Sequence, residues 1–596
     1  KLAKKNEDAI GSILSGINTF LLVFAAIALV VGTFLIINTF SILVAQRSRE
    51  LALLRAMGAS RRQVNRAVIA EALAVGFIGS TVGIGLGYLL ALGLKWLFGV
   101  IGLDIGSASF PLKVRTIVIA YAVGLVVTLI AAYLPARRAS RIPPVAAMRD
   151  DVALPESSLR VRLIIGSILV VGGAALDGVA LFRDISKPLV YLGIGTLAIL
   201  VGVSLTAAVV GRPIVRAVGW VYKPVFGTVG VLATENSLRN PRRTAATASA
   251  LMIGITLMSL MSVFGASLAS SLDKSISSTL TAQLVVSNAT GQGFSPTLAE
   301  KVRDVDGVGT VAEFRALDAK INGNDAFVGA ADPAEIATAL NIQVMAGAFA
   351  GLNDHTIFMD ANAFKGGDYR LGQTVDLKLQ GGTQPLKIAG TFAANSMPSS
   401  YLVTLNTLDK GAVAPQDYYL FIALAPGASE STVRAAIDKE LAGVPTVTLK
   451  NQQEFIDEQR AQINIFLYII YALLGLAIII AIMGIVNTLA LSVIERTREV
   501  GLLRAVGLSR RQLKRMVRLE SVVIALLGTV LGLILGVTFG IAVQRALRDD
   551  GIDVLSIPWG QLAIFVVAAV IFGILAAALP ARRASKLNVL NAITTE

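Results

Sequence analysis

The chain of 596 residues has no cysteine and a single histidine, His355. Disulfide frameworks and thiol nucleophiles are thereby excluded, and a zinc site of the usual ligands has almost nothing to build on. His355 has no nucleophile motif beside it and reads as an ordinary loop residue. Charge is scarce too: 15% of residues are Asp, Glu, Lys or Arg, against roughly a quarter in soluble domains. Acidic groups such as Asp304 and Asp306 lack the spacing of a calcium loop. Asn288-Ala-Thr290 is too common a pattern to assign a glycan. No Gly-x-x-x-x-Gly-Lys-Ser/Thr loop is present, so the chain does not itself cradle ATP in that way. No catalytic residue, metal or cofactor is assigned to it.

What fills the chain instead is apolar: 55% hydrophobic residues and a mean hydropathy of +0.71. Crossing about 30 Å of hydrocarbon takes a run of about 20 such residues. Nine runs qualify: 17–45, 66–97, 114–134, 163–182, 188–210, 244–267, 463–491, 517–545 and 559–580. The first is too deep and too long for a secretion signal, and the chain opens on Lys1, so a native amino terminus is expected upstream. The net charge of +14 would suit nucleic acid, but its placement does not. Lys and Arg cluster at 47–66, 137–162, 212–243, 496–518 and 582–586, all on one side if the spans alternate. The long stretch 268–460 falls on the other side and is acidic by about seven charges. That is the positive-inside pattern, with the carboxyl terminus cytoplasmic and 268–460 outside. Abundant Arg, Ala and Gly suggest a bacterial genome rich in GC. The expected home is therefore a bacterial cytoplasmic membrane, with lipid and not nucleic acid as the surroundings.

A long repeat organises the chain. Glu50-Leu-Ala-Leu-Leu-Arg-Ala-Met-Gly58 returns as Glu499-Val-Gly-Leu-Leu-Arg-Ala-Val-Gly507, and Ser-Arg-Arg-Gln follows within two residues of each. Asn38-Thr39 matches Asn487-Thr488, Arg66 and Glu71 match Arg515 and Glu520, and Gly79, Gly83 and Gly87 match Gly528, Gly532 and Gly536. Each unit closes on Pro-Ala-Arg-Arg-Ala-Ser, at 135–140 and 580–585. Fixed-period self-similarity is the first guide to architecture. Two three-span modules, 16–150 and 461–596, are expected in parallel orientation. Between them lie a two-span linker with inner loops, 151–243, and a further span, 244–267, leading to the stretch 268–460. By symmetry the first module should have its own leading span and outer domain, of which 1–15 is the expected tail.

Within 268–460 the patterning is mixed. Gln283–Ser287 and Val308–Ala316 read as strands around a helix capped by Ser295 and ending near Arg303. Tyr418–Ala423 and Thr446–Leu449 flank a helix, Ser429–Leu441, with Ser429 and Ser431 as caps. Two strand-helix-strand units split by an insertion suggest a ferredoxin-like core. Val375–Leu379 and Leu386–Thr391 alternate around Gly381-Gly382 as a hairpin. The fold class is thus a membrane all-α bundle, nine spans visible and ten expected, with an extracytoplasmic α+β domain.

Leu51, Leu54 and Gly58 share one helical face, with Arg47, Glu50 and Arg55 around it; Val500, Leu503 and Gly507 repeat that face. A helix resting in lipid needs only a general apolar and basic pattern. A retained acid among arginines, with Gly ending the helix, fits a protein groove better. The glycine stripes, one every fourth residue, allow close helix approach, as static packing or as a sliding contact. Asn38 and Asn487, inside spans, read as interhelical hydrogen-bond partners. Glu71 is expected to pair locally with Arg66, and Glu520 with Arg515 or Arg518.

These residues, with the two closing Pro-Ala-Arg-Arg-Ala-Ser motifs, make the chain resemble the FtsX-like permease family, the MacB-type or type VII ABC transporter permeases. The resemblance covers about half the chain. It implies that Glu50, Leu53, Leu54, Arg55 and Gly58, and Glu499, Leu502, Leu503, Arg504 and Gly507, form two coupling helices docking a separate ABC ATPase. Two copies of that ATPase, carrying ATP and Mg, are then expected per chain. Most relatives have one four-span unit and dimerise, whereas this chain looks like two units fused. The implied function is mechanotransmission: cytoplasmic ATP hydrolysis moves outer domains that export or extract a lipoprotein, lipid or amphiphile. The alternative is signalling without transport, activating an extracytoplasmic cell-wall hydrolase or sensor. A membrane enzyme lacks a visible catalytic constellation.

Overall fold

The computed structural model describes residues 47–100, 112–139, 159–183 and 187–586 except 290, 395 and 412–414, together with Leu29, Gly32, Thr33, Ile36, Ile37, Phe40 and Val44. The expected tail 1–15, Asn38 and most of the first apolar run lie outside these residues. Among the described residues seven helices are long and apolar enough to cross a membrane. The number is eight if Ile478–Val493 and Thr497–Ala505, bent by 64°, count as one span. Helix is the form hydrocarbon dictates, since each backbone N–H and C=O must bond inside its own segment.

The first module contains a short helix α1 (Ser48–Ala56), a long α2 (Arg61–Val100) and α3 (Val114–Ala139). Helices α4 (Leu159–Phe182) and α5 (Pro188–Arg239) form the linker, and α6 (Pro241–Thr279) leads out of the bundle. The sequence expectation of a span over 188–210 followed by a basic loop needs correction, because helix continues to Arg239. It folds back at Gly227, whose φ of 57° and ψ of −139° suit only glycine. Gly219 faces Thr234 across that hairpin so closely that a Cβ would lie 2.5 Å from its methyl.

The sheet domain follows: β1 (Leu284–Asn288), α7 (Thr297–Arg303), β2 (Val308–Ile321), β3 (Asn324–Ala330), β4 (Val344–Gly347), β5 (Thr356–Asp360), β6 (Thr374–Leu379), β7 (Gly382–Phe392), β8 (Tyr401–Val403), β9 (Asp417–Leu424), α8 (Glu430–Leu441) and β10 (Val447–Asn451). The strands run in the order β10-β1-β9-β2-β3-β8-β5-β7-β4, with β6 bridging β2 and β7. The first four, antiparallel throughout, are the order two split strand-helix-strand units produce. Alternation explains the layering: Leu284 and Val286 pack with Leu298, Val433 and Ile437 on the helix face, whereas Val285 joins Phe314, Phe421 and Phe455 on the other. β6 and β7 pair with Leu379 opposite Gly382.

Both expected caps differ in detail. Pro296, with its φ held at −59°, takes the cap position of α7, leaving the Ser295 hydroxyl to accept the Thr297 N–H at 3.4 Å. Ser429 sits at the cap of α8 but shares a 3.0 Å hydrogen bond with the Ser431 hydroxyl. Inside the sheet, Arg315 bonds Asp417, Asp409 and Glu313, and Arg303 joins Glu313 to Glu335.

The second module then mirrors the first, with α9 (Gln452–Glu495), the short α10 (Thr497–Ala505), α11 (Arg510–Ala546), α12 (Trp559–Ala576) and α13 (Ala578–Lys586). Helix α6 has 39 residues and α9 has 44. At 1.5 Å per residue these are about 60 and 66 Å long, twice what hydrocarbon needs. Both therefore run unbroken from the bundle into the sheet domain as stalks. Arg460 of α9 pairs with Asp273 of α6, and Lys274 of α6 with Asp553 in the loop after α11. Ser267 and Ser271 accept the backbone N–H groups of Ser556 and Val554 at 3.1 and 2.9 Å.

Candidate functional site: the paired inner helices

Each short helix is fixed at both ends by the same devices. Ahead of α1, Arg47 bridges Glu50 at 3.2 Å and Glu71 of α2 at 2.8 Å. Ahead of α10, Arg496 reaches Glu499 and Glu520 of α11, each at 4.0 Å. The expected local pairs, Glu71 with Arg66 and Glu520 with Arg515 or Arg518, are therefore replaced. Five residues along a helix turn a side chain about 140° away, which points the two groups apart. In the first turn Glu50 and Glu499 also meet the positive end of the helix dipole. The signal for Arg47 and Arg496 lay inside the repeat, three residues before each Glu.

The carboxyl ends match equally closely. Gly58 and Gly507 adopt φ of +104° and +113°, a region open to glycine. The Ala59 N–H bonds the Leu54 carbonyl at 3.0 Å, and the Leu508 N–H bonds Leu503 at 2.9 Å. Gly58 and Gly507 donate to Arg55 and Arg504 at 3.1 and 3.2 Å, completing a Schellman stop in each case. Ser60 and Gln63 then cap each other reciprocally at the start of α2, as Ser509 and Gln512 do for α11. A helix, a glycine stop and a capping box thus set the angle between each short helix and the long one after it.

The face read from the sequence divides in two. Leu51 turns inward against Val44, Val64, Val68 and Ala136, and Val500 is likewise buried. The outward ridge consists of Leu53, Leu54 and Met57, the last 77% exposed. In the second copy it consists of Leu502 and Val506, 88% exposed, with Leu503 half-buried. Glu50 and Glu499 flank these ridges with side chains 69% and 65% exposed. Each site offers an apolar ridge, Leu53 to Met57 or Leu502 to Val506, beside a carboxylate. That combination is suited to a groove of another protein, because large apolar side chains at such exposure gain from being covered.

The glycine stripes part company. A Cβ at Gly528, Gly532 or Gly536 would lie 2.5–2.8 Å from backbone carbonyls of α6. The packing expected of Gly79, Gly83 and Gly87 is not seen among the described residues, where a Cβ would meet nothing within 4 Å. Asn487 is engaged. Pro580, Ala581, Ala584 and Ser585 of the closing motif are buried, with Arg582 and Arg583 turned outward. No group of three or more His, Cys, Asp or Glu among the described residues is placed to hold a metal.

Comparison with known proteins agrees with the duplicated plan. Residues 22–144 and 471–589 both match the FtsX-like permease C-terminal family, and residues 244–440 match the MacB-like periplasmic core domain. The chain is 24% identical to an uncharacterized ABC transporter permease protein of Mycobacterium tuberculosis over 99% of its own length and 71% of that relative. It is 36% identical to the macrolide export ATP-binding/permease protein MacB of Brucella abortus over 21% of this chain, spanning only 18% of that relative. It is 35% identical to the ABC transporter permease YtrF of Bacillus subtilis over 20% of this chain and 30% of that one. A solved periplasmic region of MacB from Actinobacillus actinomycetemcomitans aligns with 30% of the chain at 12% identity and a TM-score of 0.25.

Proposed function

We propose that the chain, whose two repeats match the FtsX-like permease C-terminal family and whose sheet domain matches the MacB-like periplasmic core domain, is a multi-pass ABC transporter permease that transmits force between two ATPases and that domain. The basic end of the bundle is cytoplasmic, and the sheet domain lies outside. Helices α1 and α10 each dock one copy of a separate ABC ATPase, which carries the ATP and Mg. The single observation carrying this reading is the twinned site: the same exposed apolar ridge and carboxylate, on the same arginine-tethered and glycine-stopped helix, occurs twice. Because Arg496 joins α10 to α11, and α11 lies along stalk α6, a push on α10 is passed to the sheet domain as a rigid-body or shear displacement.

The work done outside is export or extraction of a lipoprotein, lipid or amphiphile. An apolar cavity of about 270 Å³ where the stalks meet the sheet supports this over signalling to a hydrolase or sensor. Leu272 and Ile276 of α6, Phe455 of α9 and Phe421 of β9 line it. Movement of the stalks relative to the sheet would open or squeeze that cavity.

The test is charge reversal at both docking helices. Glu50→Arg combined with Glu499→Arg should weaken the ATPase complex by at least ~10-fold, which corresponds to about 1.4 kcal/mol, with ATP turnover by the complex falling in step. Unchanged affinity and turnover would remove the docking role.

A further inference from the structure

Below the level where α4 begins, α5 is left with a bare flank. The two helices cross on glycines: a Cβ at Gly166 would lie 2.8 Å from the Gly202 carbonyl, and one at Gly173 2.6 Å from that of Gly195. They therefore run antiparallel, and the start of α4 at Leu159 falls level with Val209. Helix α5 continues past that point to its fold at Gly227. At 100° per residue, Arg212, Arg216, Trp220 and Lys223 lie within about 80° of one another, on the flank that Gly202 turns to α4. All four are exposed, Trp220 at 82%. Helix α5 carries no acid before Glu235, and no described acid pairs with the three cations. Arg160, at the head of α4, is exposed at the same level.

Depth sets this stripe apart from ordinary loop charge. On another flank of α5 a Cβ at Gly211 would lie 2.8 Å from Leu527 of α11, and the Tyr222 hydroxyl donates to the Leu519 carbonyl at 3.4 Å. Arg212 to Lys223 thus stand alongside residues 519–527, inside the apolar run 517–545. At 1.5 Å per residue Leu527 is about 15 Å from the start of that run. Cations exposed at such a depth face lipid, where they are costly unless the long side chain reaches an anion at the interface. The positive-inside bias places Lys and Arg in loops beyond the spans; here they sit on the lipid side of one.

We propose that the notch under α4 binds an anionic phospholipid of the inner leaflet, its phosphate held by Arg212 and Arg216 and its acyl chains lying along Trp220. Arginines four residues apart on one helix face stand about 6 Å apart, close enough to fork around a single phosphodiester. Lys223 and Arg160 add charge at either end of the stripe. Val221 and Val225, 53% and 61% exposed, continue the apolar surface beside the indole. A soluble acidic partner would have to enter the apolar layer to reach Arg212, whereas a lipid is already there. Because α5 folds back at Gly227 into the segment that feeds stalk α6, a lipid held here anchors the inner end of that stalk. Calling the leaflet inner rests on the proposed orientation; the binding does not, and it is independent of ATPase docking.

Trp220 is the natural reporter, because the sequence has only two other tryptophans, Trp96 and Trp559. The purified permease carrying Trp96→Phe and Trp559→Phe is placed in bilayers containing brominated phosphatidylglycerol or brominated phosphatidylcholine, and quenching of Trp220 gives their relative affinity. The proposal expects both lipids to quench, with phosphatidylglycerol preferred by at least ~5-fold, about the worth of one basic side chain at an anionic surface. Arg212→Gln with Arg216→Gln should bring the preference to parity while quenching by brominated phosphatidylcholine persists, which shows the segment still in place. Each single Gln variant should lower the preference part way, so the test does not depend on the double variant folding. Equal affinity for the two lipids, a preference unchanged in these variants, or no quenching by either lipid overturns the proposal. So does a preference abolished by added inorganic phosphate, which would mark a site for the free anion.

Discussion

Arg315 stands among Asp417, Asp409 and Glu313 on the sheet, and the balance of charges there leaves one acid out of its ordinary range. Burial, with Glu313 adding to it, pushes Asp417 up to about 7, although Arg315 pulls the other way. One Asp417 oxygen accepts the Arg315 Nε–H at 2.9 Å, while the other is buried with no described hydrogen-bond partner. Folded Asp417 thus holds a proton at pH values where an unfolded aspartate has lost it. The stability this contributes is complete below the ordinary aspartate value and is lost as pH rises through about 7. Asp417→Asn should therefore flatten the fall in sheet-domain stability between pH 5 and pH 8. Hydrogen-exchange protection of β2 and β9, corrected for intrinsic rates, reads this directly; a variant with the wild-type slope contradicts it. At this scale the sequence was only partly legible. Glu50, Leu53 and Gly58 could be singled out because the repeat preserves them. That Arg47 also reaches Glu71, and Arg496 Glu520, depends on the bends between α1 and α2 and between α10 and α11, which local spacing does not encode.

Elements were legible where composition forced them and obscure where it pointed two ways. Apolar runs gave the spans, because nothing but helix satisfies a backbone in hydrocarbon. Arg212, Pro213, Arg216, Lys223 and Pro224 read as a basic loop, yet they lie on helix α5, which folds back at Gly227 against its own preceding turns. In the sheet domain, the alternation of Leu284, Val286, Leu420 and Ile422 exposed the ferredoxin-like core. Strand β4 is nearly all exposed and offers no such pattern. The glycine stripe supplies a prediction for elements. Leu at Gly532 would drive into the Met252 carbonyl and the Ile255 side chain. Overpacking of that kind costs up to about 3 kcal/mol. Purified Gly532→Leu should lose thermal stability and expose α6 to protease, whereas unchanged melting and cleavage would show the stripe is not a fixed contact.

For the whole molecule, duplication is the controlling fact. Two modules share the tethered short helix, the glycine stop, the capping box and the closing motif, so each should engage a partner in the same way. They differ on the sheet-domain side, where only α6 and α9 carry a described domain, and that is where the client would be chosen. The central claim is that both inner helices dock an ATPase. Native mass spectrometry of the complex, purified through this chain, tests it most directly. Two ATPase subunits for each permease chain is the expected result, and one ATPase per chain would contradict it.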